Sequence, residues 1–172
     1  METFLIHNQV KQAYNLGIGI FLLKNPTGRF VPDRTLYTNF AANVSTEPDG
    51  LYAHWETWKS GRLRLIPGKE KDYTELEGVP DMVLEIVSNG SVKKDTITLR
   101  ELYAKAQIPE YWLVDVRTDV IRFDILRLNG DTYQAVVGDD GWIRSDVFDC
   151  SFQLVREIDP MGQPQFFVKV KP

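Results

Sequence analysis

One cysteine, Cys150, in 172 residues leaves nothing for an intrachain disulfide framework and excludes a cysteine-rich zinc site. Such usage suits a reducing, cytoplasmic setting, where the thiol reads as a small, inert, partly buried side chain. The chain also lacks any run near the ~18 consecutive apolar residues that a membrane helix needs. The opening METFLIHNQVKQAYNLGIGIFLL is broken by polar residues throughout, so neither a membrane span nor a signal peptide is expected. An excess of basic residues is missing too: the net charge is −4 and the sequence pI is about 5.2. The charge gives no support to a broad basic surface for nucleic acid, and any phosphate contact must be local. No glycine-rich phosphate loop is present, which leaves ATP or dinucleotide use without support. The two histidines, His7 and His54, have no ligand-like spacing and read as ordinary surface or partly buried side chains.

What is there is an ordinary globular composition, 43% hydrophobic and 26% charged, long enough for one domain spanning residues 1–172. Glu2 to Leu16 has helical patterning that should end near Gly17 and Gly19, with IGIFLL following as a strand. PTGRF signals a turn into a second extended stretch reaching Phe40. LYAHWETW reads as a strand running into a short helical turn, and Arg62–Ile66, PGKEKD and the return through Tyr73 read as a hairpin. Asp95 suits a helix N-cap, with Leu99, Leu102, Tyr103 and Ala106 forming the apolar stripe of a helix that stops before Pro109. EYWLVDV and VIRFDILRL are strands, and Asn129-Gly130 signals a tight turn into TYQAVV. Short extended pieces in the tail should cover the core. The order predicts an α/β or α+β domain built on a central mixed sheet.

The chemistry concentrates in GVPDMVLEIVSNGSVKKDT, residues 78–96. Met82–Val87 is a near-continuous apolar strand covered on both faces, yet Glu85 lies within it and Asp81 just before it. A buried carboxylate costs several kcal/mol without a cation or hydrogen bonds, so Glu85 needs a partner or a function. Asp81 and Glu85 share a strand face, but four residues separate them by about 13 Å, too far to chelate one ion. A second ligand must come from a neighbouring strand, and Asp49, in EPDG at a turn-like strand start, is the best candidate. Two such acids with waters form an all-oxygen site suited to Mg²⁺ or Mn²⁺, an ion that generates a nucleophile and neutralises phosphate charge.

PDMVLEIVS, the following KKD, ELYAKAQIPEYWLVD and the upstream STEPDGLY together resemble the Uma-two family of restriction-endonuclease-like proteins, within the PD-(D/E)XK nuclease superfamily. The resemblance spans about residues 30–135 and implies a restriction-endonuclease-like core, a mixed central sheet flanked by helices, with extra C-terminal strands. It matches Asp49 to the first metal acid and Glu85 to the second, and implies Mg²⁺- or Mn²⁺-dependent hydrolysis of DNA. Asp81 is similar to a residue common in the family and stands as an accessory candidate. Two departures matter. The lysine expected two residues after Glu85 is Val87, and the alternative position on the next helix is Leu99. Lys93 and Lys94 are the nearest cations, with Arg100 further on, and Lys94 is assigned the catalytic role. An acid that relatives contribute from a leading segment has only Glu2 as a counterpart.

Trp55, Trp58, Trp112 and Trp142 lack interleaved basic residues and read as core packing rather than base-stacking surfaces. Ser88, Ser91 and Asp95 lack a histidine placed to activate a nucleophile. The competing function is a degenerate member of the fold, a nucleic-acid-binding or interaction module that has lost its lysine. Self-association, a homodimer included, is expected from free sheet edges and the aromatic C-terminal strands.

Overall fold

The computed structural model describes residues 4–68 and 72–172. Glu2 lies outside the described residues, as do Lys69, Glu70 and Lys71 of the expected PGKEKD turn. In chain order the elements are α1 (Phe4–Lys24), β1 (Gly28–Pro32), β2 (Leu36–Asn39), β3 (Val44–Thr46), β4 (Gly50–His54), α2 (Trp55–Lys59), β5 (Leu63–Pro67), β6 (Tyr73–Gly78) and β7 (Met82–Ile86). A π-helical turn (Lys94–Thr98) then runs into α3 (Leu99–Lys105), followed by β8 (Glu110–Asp115), β9 (Arg122–Asn129), β10 (Thr132–Ala135), β11 (Ile143–Ser145), β12 (Cys150–Ile158) and β13 (Pro164–Lys171).

The central sheet has the order β1-β4-β7-β8-β9-β10, antiparallel except for the parallel β7/β8 pair. The parallel pair requires a crossover, and α3 supplies it. A second sheet, β3-β2-β6-β5, contains the expected β5/β6 hairpin, and the C-terminal strands form a third, β11-β12-β13. The mixed central sheet, its flanking helices and the extra C-terminal strands agree with the sequence expectation.

Burial on both faces of β7 explains its near-continuous hydrophobicity. Met82, Leu84 and Ile86 pack with Val10, Tyr14 and Ile18 of α1 and with Phe148 and Phe152 near the third sheet. Val83 and Val87 face the other way, toward Leu99, Tyr103 and Ala104 of α3 and toward Leu63 and Leu76 of the second sheet. By strand alternation Glu85 belongs to this second face, among the tyrosines.

Two elements depart from expectation. IGIFLL is not a strand: α1 continues through it to Lys24. Val10, Tyr14 and Ile18 are fully buried at helical spacing, so the apolar stripe carries past the glycines. Gly17 marks close packing instead of a helix stop, because a Cβ there would lie 2.7 Å from the Cβ of Val168 on β13. The second departure is Asp95, which lies inside the π-helical turn with its side chain buried and is not an exposed N-cap. At the β9/β10 hairpin, Asn129 pairs with Thr132, so Gly130 and Asp131 form the turn, and Gly130 adopts the positive φ (61°) that glycine tolerates.

Candidate active site

Asp49 and Glu85 are brought together by strand pairing. Gly50 of β4 stands opposite Leu84 of β7, so the residue before one and the residue after the other are adjacent across the antiparallel ladder. The Ile86 N–H donates to Asp49 Oδ2 at 2.7 Å, which locks the first acid onto the strand carrying the second. Asp49 Oδ1 receives the Lys11 ammonium at 2.7 Å, and His7 Nε2 lies 3.6 Å away. Burial pushes the Asp49 carboxyl up, but the contacts from His7, Lys11 and Ile86 outweigh it and hold the group below its ordinary value.

Glu85 is in a different state. It is 3% exposed, and Tyr103 of α3 donates a hydrogen bond to its Oε1 at 2.7 Å. Burial, then the charge of Asp49, push its carboxyl up to about 8, against the smaller pull of the tyrosine hydroxyl. Asp95 stands nearby, its Oδ2 hydrogen-bonded by the Ser91 hydroxyl and its buried Oδ1 without a hydrogen-bond partner. Burial raises this carboxyl as well, and its charge contributes to the upward displacement of Glu85. The π-helical turn explains how Asp95 arrives here: the widened turn carries its side chain inward, and Tyr111 anchors it by donating to the Asp95 carbonyl at 2.7 Å.

Other buried acids of the central sheet show how a structural carboxylate is treated. Glu110 accepts from Trp112 Nε1, the Ser145 hydroxyl and the backbone N–H groups of Asp146 and Val147. Asp81 is paired with Arg62 and accepts from the Thr57 hydroxyl and the His54 N–H. Each is saturated with donors, as buried charge requires. Among the described residues Glu85 has one neutral donor and two acids for neighbours, an environment that disfavours its charged form.

The remaining sequence candidates fall elsewhere. Asp81 lies beyond the opposite end of β7 and belongs to the Arg62 network. Lys94 is half-exposed, with its Nζ 3.8 Å from Asp95 Oδ1, and it lowers the Glu85 carboxyl only slightly. Lys93 is exposed, and Arg100 turns away to donate to the Tyr133 carbonyl. Val87 and Leu99 are buried in the second core. Sequence reading missed His7, Lys11 and Tyr103. His7 and Lys11 stand one turn apart on α1, an i, i+4 basic pair that the sequence displays, but only the tertiary packing of α1 aims it at Asp49.

The donors available to a divalent ion are all carboxylate oxygens, the set preferred by Mg²⁺ and Mn²⁺ over softer metals. Among the described residues no three His, Cys, Asp or Glu side chains converge into a ready coordination shell. Two carboxylates with waters still match Mg²⁺, which keeps much of its hydration. The cluster of acids around Glu85, with a buried Asp95 Oδ1 that has no hydrogen-bond partner among the described residues, fits such an ion.

The fold falls in a nuclease-like class. The chain resembles the crystal structure of a "putative nuclease belonging to DUF820" from Anabaena variabilis, with a TM-score of 0.58 and 17% identity over 83% of this chain and 73% of that one. A family model, Uma2, described as "Putative restriction endonuclease", matches residues 5–157, and the protein belongs to that family. Comparison with curated proteins returned no match. Among the described residues no helix is long and apolar enough to cross a membrane.

Proposed function

We propose that this chain is a Mg²⁺- or Mn²⁺-dependent endonuclease that hydrolyses DNA phosphodiester bonds, with Asp49 and Glu85 as the metal acids. The observation that carries the reading is Glu85, a buried acid with no ion-pair partner among the described residues, while Glu110 and Asp81 are saturated. Family membership supports nuclease chemistry. A bound divalent ion would lower the pKa of water and neutralise charge building on the phosphate. The protein's own residues do the rest. The Ile86 N–H fixes the Asp49 rotamer, and Tyr103 fixes that of Glu85. Lys94 and Lys93 offer positive charge at the exposed rim, where a phosphate backbone would pass. In the reaction a water oxygen bonds to phosphorus, one P–O ester bond breaks, and the leaving sugar oxygen takes up a proton.

The test is incubation of purified protein with single- and double-stranded DNA in Mn²⁺ or Mg²⁺, beside Asp49→Asn and Glu85→Gln. Parent cleavage that both variants reduce by about 10²-fold or more is the expected result. A folded parent that cleaves nothing under either ion would refute the assignment. One observation favours a second reading, a catalytically degenerate nucleic-acid-binding module: Lys11 already satisfies Asp49, and both expected lysine positions are buried aliphatic residues. That reading predicts DNA binding indifferent to Asp49→Asn.

A further inference from the structure

From the placement of α1, we infer that Lys11 is a displaceable counter-ion of the acid pair, holding Asp49 Oδ1 until a divalent cation takes that oxygen; the inference rests on the metal-site reading above. The ammonium is shared between two acids, at 2.7 Å from Asp49 Oδ1 and 3.1 Å from Asp33 Oδ2. Asp33 lies between β1 and β2, and its side chain is 37% exposed against 12% for Asp49. A cation that gives up Asp49 therefore keeps a second partner toward solvent and is not stranded. Lysine suits such a hand-over, with three donors on a flexible four-carbon stem.

Lys11 differs in kind from the surface ion pairs of this protein. Its side chain is 21% exposed, while those of Arg64, Arg122 and Arg144 are each about half-exposed. It also contacts the oxygen that a metal ligand must free, whereas Lys94 approaches Asp95 instead. His7 lies beside the same Asp49 oxygen and lines a cleft of about 80 Å³ formed with Ile86, Ser88, Asn89 and Arg117. An anionic ligand entering there meets His7, one helical turn before Lys11 on α1, and Arg117. Once released from Asp49, the ammonium is the site's own cation for a substrate phosphate, a role that Val87 and Leu99 cannot fill.

Competition for one oxygen has a signature that a purely structural ion pair lacks. Mn²⁺ affinity would be measured by titration calorimetry and DNA cleavage in Mn²⁺, for the parent, Lys11→Gln, Lys11→Met, Lys11→Arg and the remote Lys59→Gln. Lys11→Gln and Lys11→Met should bind Mn²⁺ about tenfold tighter or more and cleave about 100-fold more slowly. Lys11→Arg should keep parent-like Mn²⁺ affinity, and Lys59→Gln should match the parent in both readouts. Folded Gln and Met variants whose Mn²⁺ affinity is unchanged or weaker would overturn the inference, even if the parent cleaves DNA. Tighter Mn²⁺ binding in these variants alongside an inert parent would uphold the counter-ion while refuting the nuclease assignment.

Discussion

Raising the pH of the metal-free protein should destabilise it through Glu85. An unfolded glutamate loses its proton near 4.5, whereas the folded site holds it to about 8. Between those values the native state binds a proton that the unfolded state has released, so stability falls as pH rises. The full interval corresponds to about 5 kcal/mol, a large part of the ~5–15 kcal/mol that stabilises a typical domain. The other groups facing Glu85 leave the sign unchanged. Asp95 is displaced in the same direction, Asp49 is lowered and titrates beneath the window, and Lys94 has only a small opposing effect. Tyr103, raised far above its ordinary value, remains a neutral donor throughout. The assay is urea unfolding at pH 5, 7 and 9 in chelator, for the parent and Glu85→Gln. Glutamine keeps an acceptor for Tyr103 but never ionises. The two proteins should be similar at pH 5, and the variant should be more stable by about 3–5 kcal/mol at pH 9. A gap that does not widen with pH would refute the reasoning.

Removing the Tyr103 hydroxyl with Tyr103→Phe takes a hydrogen bond from the ionised form of Glu85, so the alkaline loss of stability should begin at lower stability overall and the Glu85 titration, followed by carboxyl NMR, should move further up. Asp81→Ala strands Arg62 and removes the acceptor for Thr57 and the His54 N–H; a loss of about 3 kcal/mol in urea unfolding is expected, without a specific effect on DNA cleavage by the folded fraction. Two glycines of α1 should respond with opposite signs in thermal unfolding. Gly19→Ala, in open space, should stabilise by about 0.5–1 kcal/mol, and Gly17→Ala should destabilise by about 1–3 kcal/mol through its clash with Val168.

Much of the central sheet was legible because its signals are local. The apolar run of β7 and the alternation in β9 declare themselves within a few residues, and the Asn129-Gly130 signal marks the β9/β10 hairpin to within one residue. The length of α1 was not legible, since Gly17 and Gly19 mimic a helix stop and only the approach of β13 shows why Gly17 is small. The acid pair could be read from cost, because a glutamate in a doubly buried strand demands explanation. The cations could not. Lys11 and His7 are 38 and 42 residues before Asp49 in sequence, and no periodicity links α1 to the start of β4. Asp95 was misread for a related reason: a short polar residue before an apolar stripe signals a cap, and nothing in the sequence announces a π-helical turn.

The hydrogen bond from the Ile86 N–H to Asp49 works as a calliper. It joins one acid to the backbone immediately after the other, so the gap between the carboxylates follows strand register and is insulated from the surrounding loops. Loops around this corner can therefore drift in length and charge while the spacing between the two acid-bearing strands stays fixed.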